Sequence, residues 1–581
     1  MADCKNPVVA YRRLWYHCDI AETSRVRARG ISMGRHAGKF KPVTGGKRSA
    51  PAQHRPAGVP PVPATLAIGR TLSLALGCGL VAAYLMFANL SYGLPLVYHP
   101  DEARKLQLLT DLAQGHFPRF FAHPHFMLNF SAPFMLAAKG LGLYPHLGAR
   151  AAVAFMGVAT VVLLFFVGRS VGGQIAGVGA ALFFATAPLA VIAAHDFKED
   201  IPLAFWLTIQ LLFLVRYLKG ARSRDLYLAA AALGGAVGTK YTGVAAALLL
   251  AGCVLFGPVT ERRWQRLGNA ILLAGVVFLV CTPAILIDPV AFMADASFEA
   301  RHAIIGHSPE MVWDRTGRLE TGKPLKLSPL ASLWTYHLRH SLVPGISIAG
   351  LLLTVYGVLI ALSKGGWAGR LIASGLILFY FLLESLPLKP PPFAARYMVA
   401  VLPYAALLVG QAVAAAWKGR VAQRLVVGVL CAATLGLNSF HANQQVQAMR
   451  PETRDLARAW VFDRIPQGSR LIVPGLLSYS PIAYPSRPTG FPYHVVVSAA
   501  RSSEILEMGL DPQAYIIVSS LDYQRYLDHT EFDPEATRFY RRLFEWDSPV
   551  ATFKVPFRPL GFHNPTIQIF HLADSPPSSA G

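Results

Sequence analysis

The stretch "GARAAVAFMGVATVVLLFFVGRSVGGQIAGVGAALFFATAPLAVIAAHDFKEDIP", residues 148–202, decides the fold. Residues 148–168 and 172–194 are each apolar over the roughly 17–25 residues that a helix needs to cross a hydrocarbon core. A short break, "GRSVGG", joins them, and the acidic loop "AAHDFKEDIP" (193–202) follows. Two apolar spans with a tight polar break read as a membrane hairpin, with the acidic loop at its far end.

The same rhythm runs along the chain. Further crossings read at about 71–93, 202–218, 226–242, 244–258, 268–288, 346–363, 371–387, 398–416 and 424–439. The expectation is a polytopic α-helical membrane protein with about 11 crossings. Composition agrees, because 53% of the 581 residues are hydrophobic and only 15% are charged, against about 25% charged in ordinary soluble domains.

The formal net charge is +22, which in a soluble protein would suggest nucleic acid. Here the bases are placed otherwise. Residues 1–70 hold 13 Lys/Arg against 3 Asp/Glu and include "KPVTGGKRSAPAQHRPAGVPPVPA", which reads as a disordered basic cytoplasmic tail. With that tail inside, parity brings "GRSVGG" (168), "RYLKGARSR" (216), "ERRWQR" (261), "KGGWAGR" (364) and "KGRVAQR" (418) to the same side, as cytoplasmic loops require. This count holds when the amphipathic stretch Phe126–Tyr144 lies along the interface instead of crossing. No nucleic-acid partner is expected.

The opposite, extracytoplasmic side receives the loops 94–147, 193–201 and 289–345, the turn "GTKYTG" (238–243) and "PLKPPPFAARY" (387–397). It also receives residues 440–581, which read as a small α/β domain. Helices are expected over "PETRDLARAWVFDRI" and "EATRFYRRLFEW", and strands within "SRLIVPG", "AYIIVSS" and "PTIQIFHL". The six cysteines lie in the tail or in apolar segments, so no disulfide or zinc spacing is formed. No cleavable signal is evident ahead of residue 71.

Polar groups therefore converge on one face. Asp101 and Glu102 follow Pro100 in "YHPDEARK", where acidic residues also suit the first turn of a helix. Asp196, Glu199 and Asp200, with His195 and Lys198 between them, form a second acidic cluster. Paired carboxylates can take the proton of an attacking hydroxyl or hold a divalent cation, Mg or Mn, against a phosphate. Lys240 in its turn, and Arg396 with Tyr397, are either headgroup anchors or a phosphate clamp. His123, His125, Glu299 and His302 are further candidates for substrate or metal contact, although His123-Pro124-His125 lacks the helical spacing of two metal ligands.

In their order, "YHPDEARK…LAQGHFPRFFAHPHF", "AHDFKEDIPLAFW", "GTKYTG" and "ARYMVAVLPYAALLVG" resemble the GT-C superfamily of polytopic membrane glycosyltransferases, especially the branch of protein O-mannosyltransferases and lipid A aminoarabinose transferases. The trailing "ARAWVFDRIPQGSRLIV" resembles the external domain of many bacterial members. The resemblance implies an enzyme of the inner membrane that moves a monosaccharide from a polyprenyl-phosphate donor to an acceptor hydroxyl, with inversion. It matches Asp101 to the catalytic carboxylate and Asp200 to the acidic residue of the second loop, and points Lys240 and Arg396 at the donor phosphate. The basic tail and the His-Pro-His triplet depart from the family pattern. A lipid-linked sugar flippase is the competing class, but such transporters place charges at the bilayer midplane and often carry repeats, whereas here the charges sit at helix ends.

Overall fold

The computed structural model describes residues 64–305, 334–386, 395–483, 490–498, 514–528, 530, 533–546 and 548–571. The basic tail up to residue 63, residues 306–333 in the middle of the 289–345 loop and "PLKPPPFA" (387–394) lie outside the described residues.

Residues Pro145–Thr186 form two helical arms that fold back on each other at the non-helical Gly173, where φ is 83° and ψ is −174°. Only glycine adopts that combination without strain. The reversal is measurable: a Cβ on Gly168 would lie 2.7 Å from the Ala176 carbonyl oxygen, and one on Gly177 would lie 2.6 Å from that of Phe165. A straight helix rising about 1.5 Å per residue would hold such pairs far apart. The expected break at 168–172 is thus a tight hairpin.

The other expected crossings also fall on helices. With the hairpin as α4, the helices of this region are α1 (Ala64–Phe87), α2 (Pro100–Ala113), α3 (Phe126–Gly140), α5 (Pro188–Ala193), α6 (Asp200–Gly220), α7 (Ser223–Val237), α8 (Ala246–Phe256), α9 (Arg263–Cys281), α10 (Pro289–Ile305), α11 (Val343–Lys364), α12 (Gly366–Ser385), α13 (Leu402–Trp417) and α14 (Val421–Gln447), of which α2, α3 and α10 lie in stretches expected outside the crossings. Among the described residues, 8 helices are long and apolar enough to cross a membrane. The segments expected at 226–242 and 244–258 are shorter, since α7 has 15 residues and α8 has 11. The amphipathic stretch at 126 is a helix of 15 residues, the same length as α7. The 289–345 loop opens with a helix, α10, that packs back on the site.

Small residues set the centre of the bundle. An 18-residue apolar stretch within 395–417 is 89% buried, whereas that within 263–281 is 17% buried. A Cβ on Gly410 would meet the Ala176 carbonyl oxygen at 2.3 Å, so α13 and the second arm of α4 touch backbone to backbone. Such contact is the usual means of helix association where lipid removes the hydrophobic drive.

The basic breaks gather at one end of this bundle. Lys219 donates to the Ser170 carbonyl, and Leu218, Phe256, Trp367 and Arg370 line one cavity. The other end carries a five-stranded sheet of β1 (Arg470–Pro474), β2 (His494–Ser498), β3 (Ala514–Ser519), β4 (Ala551–Phe553) and β5 (Ile567–His571), in the order β2-β1-β3-β5-β4. β1 runs parallel to both β2 and β3, and β5 runs antiparallel to both β3 and β4. α15 (Thr453–Arg464), α16 (Ser520–Asp528) and α17 (Pro534–Trp546) accompany it. α14 continues past the boundary expected at residue 439, to Gln447.

Candidate active site

The sheet end of the bundle encloses a cavity of about 550 Å³. Besides Glu299 of α10, four separated elements bring charge to it: Asp101 from α2, Lys198 and Glu199 from the loop before α6, Lys240 after α7, and Arg396 with Tyr397 ahead of α13. His123 and, from α10, Glu299 complete the polar lining, while Ala300, Ala303, Leu383 and Leu386 supply an apolar wall.

Asp101 begins α2 because His99 caps it: the Asp101 backbone N–H donates to His99 Nδ1 at 3.2 Å, and Pro100 occupies the first turn, where no donor is needed. Its carboxylate is 40% exposed to the cavity, 2.6 Å from Lys198 Nζ and 3.5 Å from Arg396 Nη1. Its burial among neighbouring groups would push the acid up, but Lys198 and Arg396 outweigh this and hold it well below the usual carboxylate range.

Glu102, one residue on, faces away from the cavity and is fully buried. Arg150 grips it bidentately, Nε to Oε1 at 3.1 Å and Nη2 to Oε2 at 2.7 Å, and the Phe197 N–H donates to Oε1 at 2.7 Å. The same guanidinium donates to the Leu90 and Tyr92 carbonyls and lies 3.8 Å from the Tyr92 ring centroid. Arg150 escaped the sequence reading although a lone arginine inside an apolar run is itself a signal of a buried partner.

The acidic cluster of the second loop separates into different tasks. Asp196 accepts from Tyr92 Oη at 2.6 Å and lies 3.3 Å from His563 Nε2. Glu199 pairs with Lys105 and lies 3.5 Å from Lys198. Burial of Glu199 is outweighed by His123, Lys105 and Lys198, which together keep it well below the ordinary range. Asp200 pairs with Lys240 at 2.6 Å, and Lys240 lies 5.0 Å from the Tyr397 centroid. Arg396 faces that ring at 5.6 Å and Phe562 at 5.5 Å, and its buried Nε has no hydrogen-bond partner among the described residues.

The histidines divide likewise. His123 lines the cavity, and burial pushes it down to about 4, so the ring is neutral near pH 7. His125 stacks on Phe121 and faces the Phe120 carbonyl at 3.0 Å. His195 is buried between the Val191 and Ala88 carbonyls. Both are away from the cavity lining. His302 lies on α10, and its side chain is outside the described residues.

No group of three His, Cys, Asp or Glu side chains among the described residues is placed to hold a metal ion. Of the cavity carboxylates, Asp101 faces Lys198 and Arg396, and Glu199 faces Lys105 and Lys198.

Residues 138–287 match the family model described as dolichyl-phosphate-mannose-protein mannosyltransferase. That segment carries Arg150, Lys198, Glu199, Asp200 and Lys240, while Asp101 and Arg396 fall outside it. No curated protein sequence matches the chain. Among solved structures, ArnT of Cupriavidus metallidurans bound to undecaprenyl phosphate is 16% identical over 89% of this chain and 100% of its own, with a TM-score of 0.48. The oligosaccharyltransferase of Archaeoglobus fulgidus is 12% identical over 80% of this chain and 72% of its own, also at 0.48. The Pmt1-Pmt2 protein O-mannosyltransferase of S. cerevisiae, bound to its sugar donor, is 14% identical over 42% of this chain and 35% of its own, at 0.30.

Proposed function

We propose that this chain, which resembles the GT-C membrane glycosyltransferases, transfers a monosaccharide from a polyprenyl-phosphate donor to an acceptor hydroxyl on the extracytoplasmic face. One observation carries the reading: a single cavity joins an apolar wall, a cationic and aromatic end, and a carboxylate exposed between them. An isoprenoid tail suits the wall of Leu383 and Leu386. Its phosphate suits Arg396, whose Nε is a buried donor with no partner among the described residues, beside Lys240 and Tyr397.

Asp101 then faces the acceptor. Its carboxylate orients the hydroxyl and takes the proton as the acceptor oxygen bonds to the anomeric carbon. The bond from that carbon to the phosphate oxygen breaks on the opposite side, the phosphate keeps the electron pair, and configuration inverts. Arg396 and Lys240 stabilise the charge that develops on the leaving phosphate, the contribution usually largest in such sites. The extracytoplasmic placement is supported by the basic hairpins, which gather at the opposite end of the bundle.

The test is release of polyprenyl phosphate from a panel of polyprenyl-phosphate sugars by purified protein in lipid, with hydroxyl acceptors supplied. Donor-dependent release that is lost in Asp101→Asn supports transfer. Movement of the lipid-linked sugar across the bilayer with no release would make the protein a flippase.

A further inference from the structure

The far side of the 195–200 loop is held by the C-terminal sheet region, through the segment 561–564 that leads into β5. His563 is 1% exposed and its Nε2 lies 3.3 Å from Asp196 Oδ1, with its ring at 4.6 Å from that of Tyr92. Tyr92 donates to the same Asp196 oxygen and rests on Arg150, which grips Glu102, which accepts from the Phe197 N–H. Asp196 and Phe197 are thus pinned from behind by two different routes. The next three residues, Lys198, Glu199 and Asp200, supply two cavity-lining side chains and the partner of Lys240.

Phe562 acts on the other wall. Its ring lies 4.4 Å from that of His99, the residue that caps Asp101, and 5.5 Å from the Arg396 guanidinium. The segment is itself anchored: Arg454, buried against Glu452, donates to the Phe562 carbonyl at 2.7 Å and to that of Tyr98 at 3.2 Å, and the Asn564 N–H donates to Glu452 at 2.7 Å. A rigid strand-end therefore reaches between two loops that each carry a charge of the cavity.

We propose that this segment is a working part of the cavity: His563 positions the 195–200 loop through Asp196, and Phe562 positions Arg396, so the C-terminal region sets the affinity for the donor phosphate. The proposal rests on the glycosyltransferase reading for the identity of that phosphate, but the positioning itself does not. Neither residue is catalytic, because neither lines the cavity.

The experiment compares the full chain with Phe562→Leu, Phe562→Tyr, His563→Gln, Asp196→Asn and the His563→Gln/Asp196→Asn pair, in lipid. Two quantities are read: binding of undecaprenyl phosphate, and hydrogen exchange of the amides at 195–203. Phe562→Leu is expected to weaken binding about tenfold while Phe562→Tyr, which keeps the aromatic face, stays near wild type. His563→Gln is expected to speed exchange at 195–203 and to weaken binding about fivefold, with the double variant little worse than either single one. Unchanged exchange and unchanged binding in folded variants would overturn the proposal. Wild-type protein that does not bind the probe would remove the donor reading, and exchange at 195–203 would then decide the positioning role alone: faster exchange in His563→Gln sustains it, and unchanged exchange overturns it.

Discussion

Asp101 turns its carboxylate into the cavity beside Lys198 and Arg396, while Glu102 turns its own into the protein against Arg150. Substitution should separate the two roles. Asp101→Asn is expected to cut transfer about 100-fold or more with little change in thermal denaturation in detergent. Glu102→Gln leaves a buried guanidinium without its counter-charge, at a cost of about 3 kcal/mol or more, and should lower the denaturation midpoint. Because Arg150 outweighs burial and holds Glu102 below its ordinary range, the stability from this pair is fully present above that range and is lost as pH falls from it through the lowered folded-state value. Asp101 is likewise held low by Lys198 and Arg396, so the acid limb of kcat/KM should lie below the usual carboxylate value of about 4. Removing one cation lets the acid rise, and Lys198→Gln should shift the limb to higher pH. A pH profile that does not move in that variant would detach Asp101 from the limb. Adjacent carboxylates were legible in the sequence, but their opposite orientations were not. They depend on Arg150, 48 positions away from Glu102 in the chain.

At the scale of elements, the apolar runs and their polar breaks were enough to place the helices, because a span of fixed length is the simplest solution for a chain in hydrocarbon. β2 and β4 carried no such signal. β4 has three residues, and β2 is a short apolar strand at the edge of the sheet, so their pairing is decided by partners distant in sequence. Helix packing was also invisible until the backbones met. Gly410 lies so close to the Ala176 carbonyl that a side chain there must push α13 away from α4. Gly410→Val is expected to cost about 1–3 kcal/mol, read as a lower denaturation midpoint and a broadened size-exclusion profile. Gly428, with nothing within 4 Å of its added Cβ, is the control, and Gly428→Ala should behave as wild type.

For the whole molecule, the basic hairpins and the cavity occupy opposite ends, and this separation is what allowed the site to be assembled from residues as distant as Asp101 and Arg396. Loops on one side of a membrane share a compartment, so sidedness brought together positions that no local motif could connect. It could not show which loop backs which, and the contribution of Phe562 and His563 emerged only from the packing of the sheet region against the loops. The same separation makes orientation testable. In a cysteine-free background, Lys554→Cys presents an exposed thiol near the sheet and Lys418→Cys an exposed thiol at the basic end. With the cavity outside, an impermeant maleimide is expected to label the first in intact cells and the second only after permeabilisation, since the basic loops should remain cytoplasmic. The reverse pattern would put the carboxylates and the phosphate clamp in the cytoplasm, and the donor sugar would then have to be presented from that leaflet.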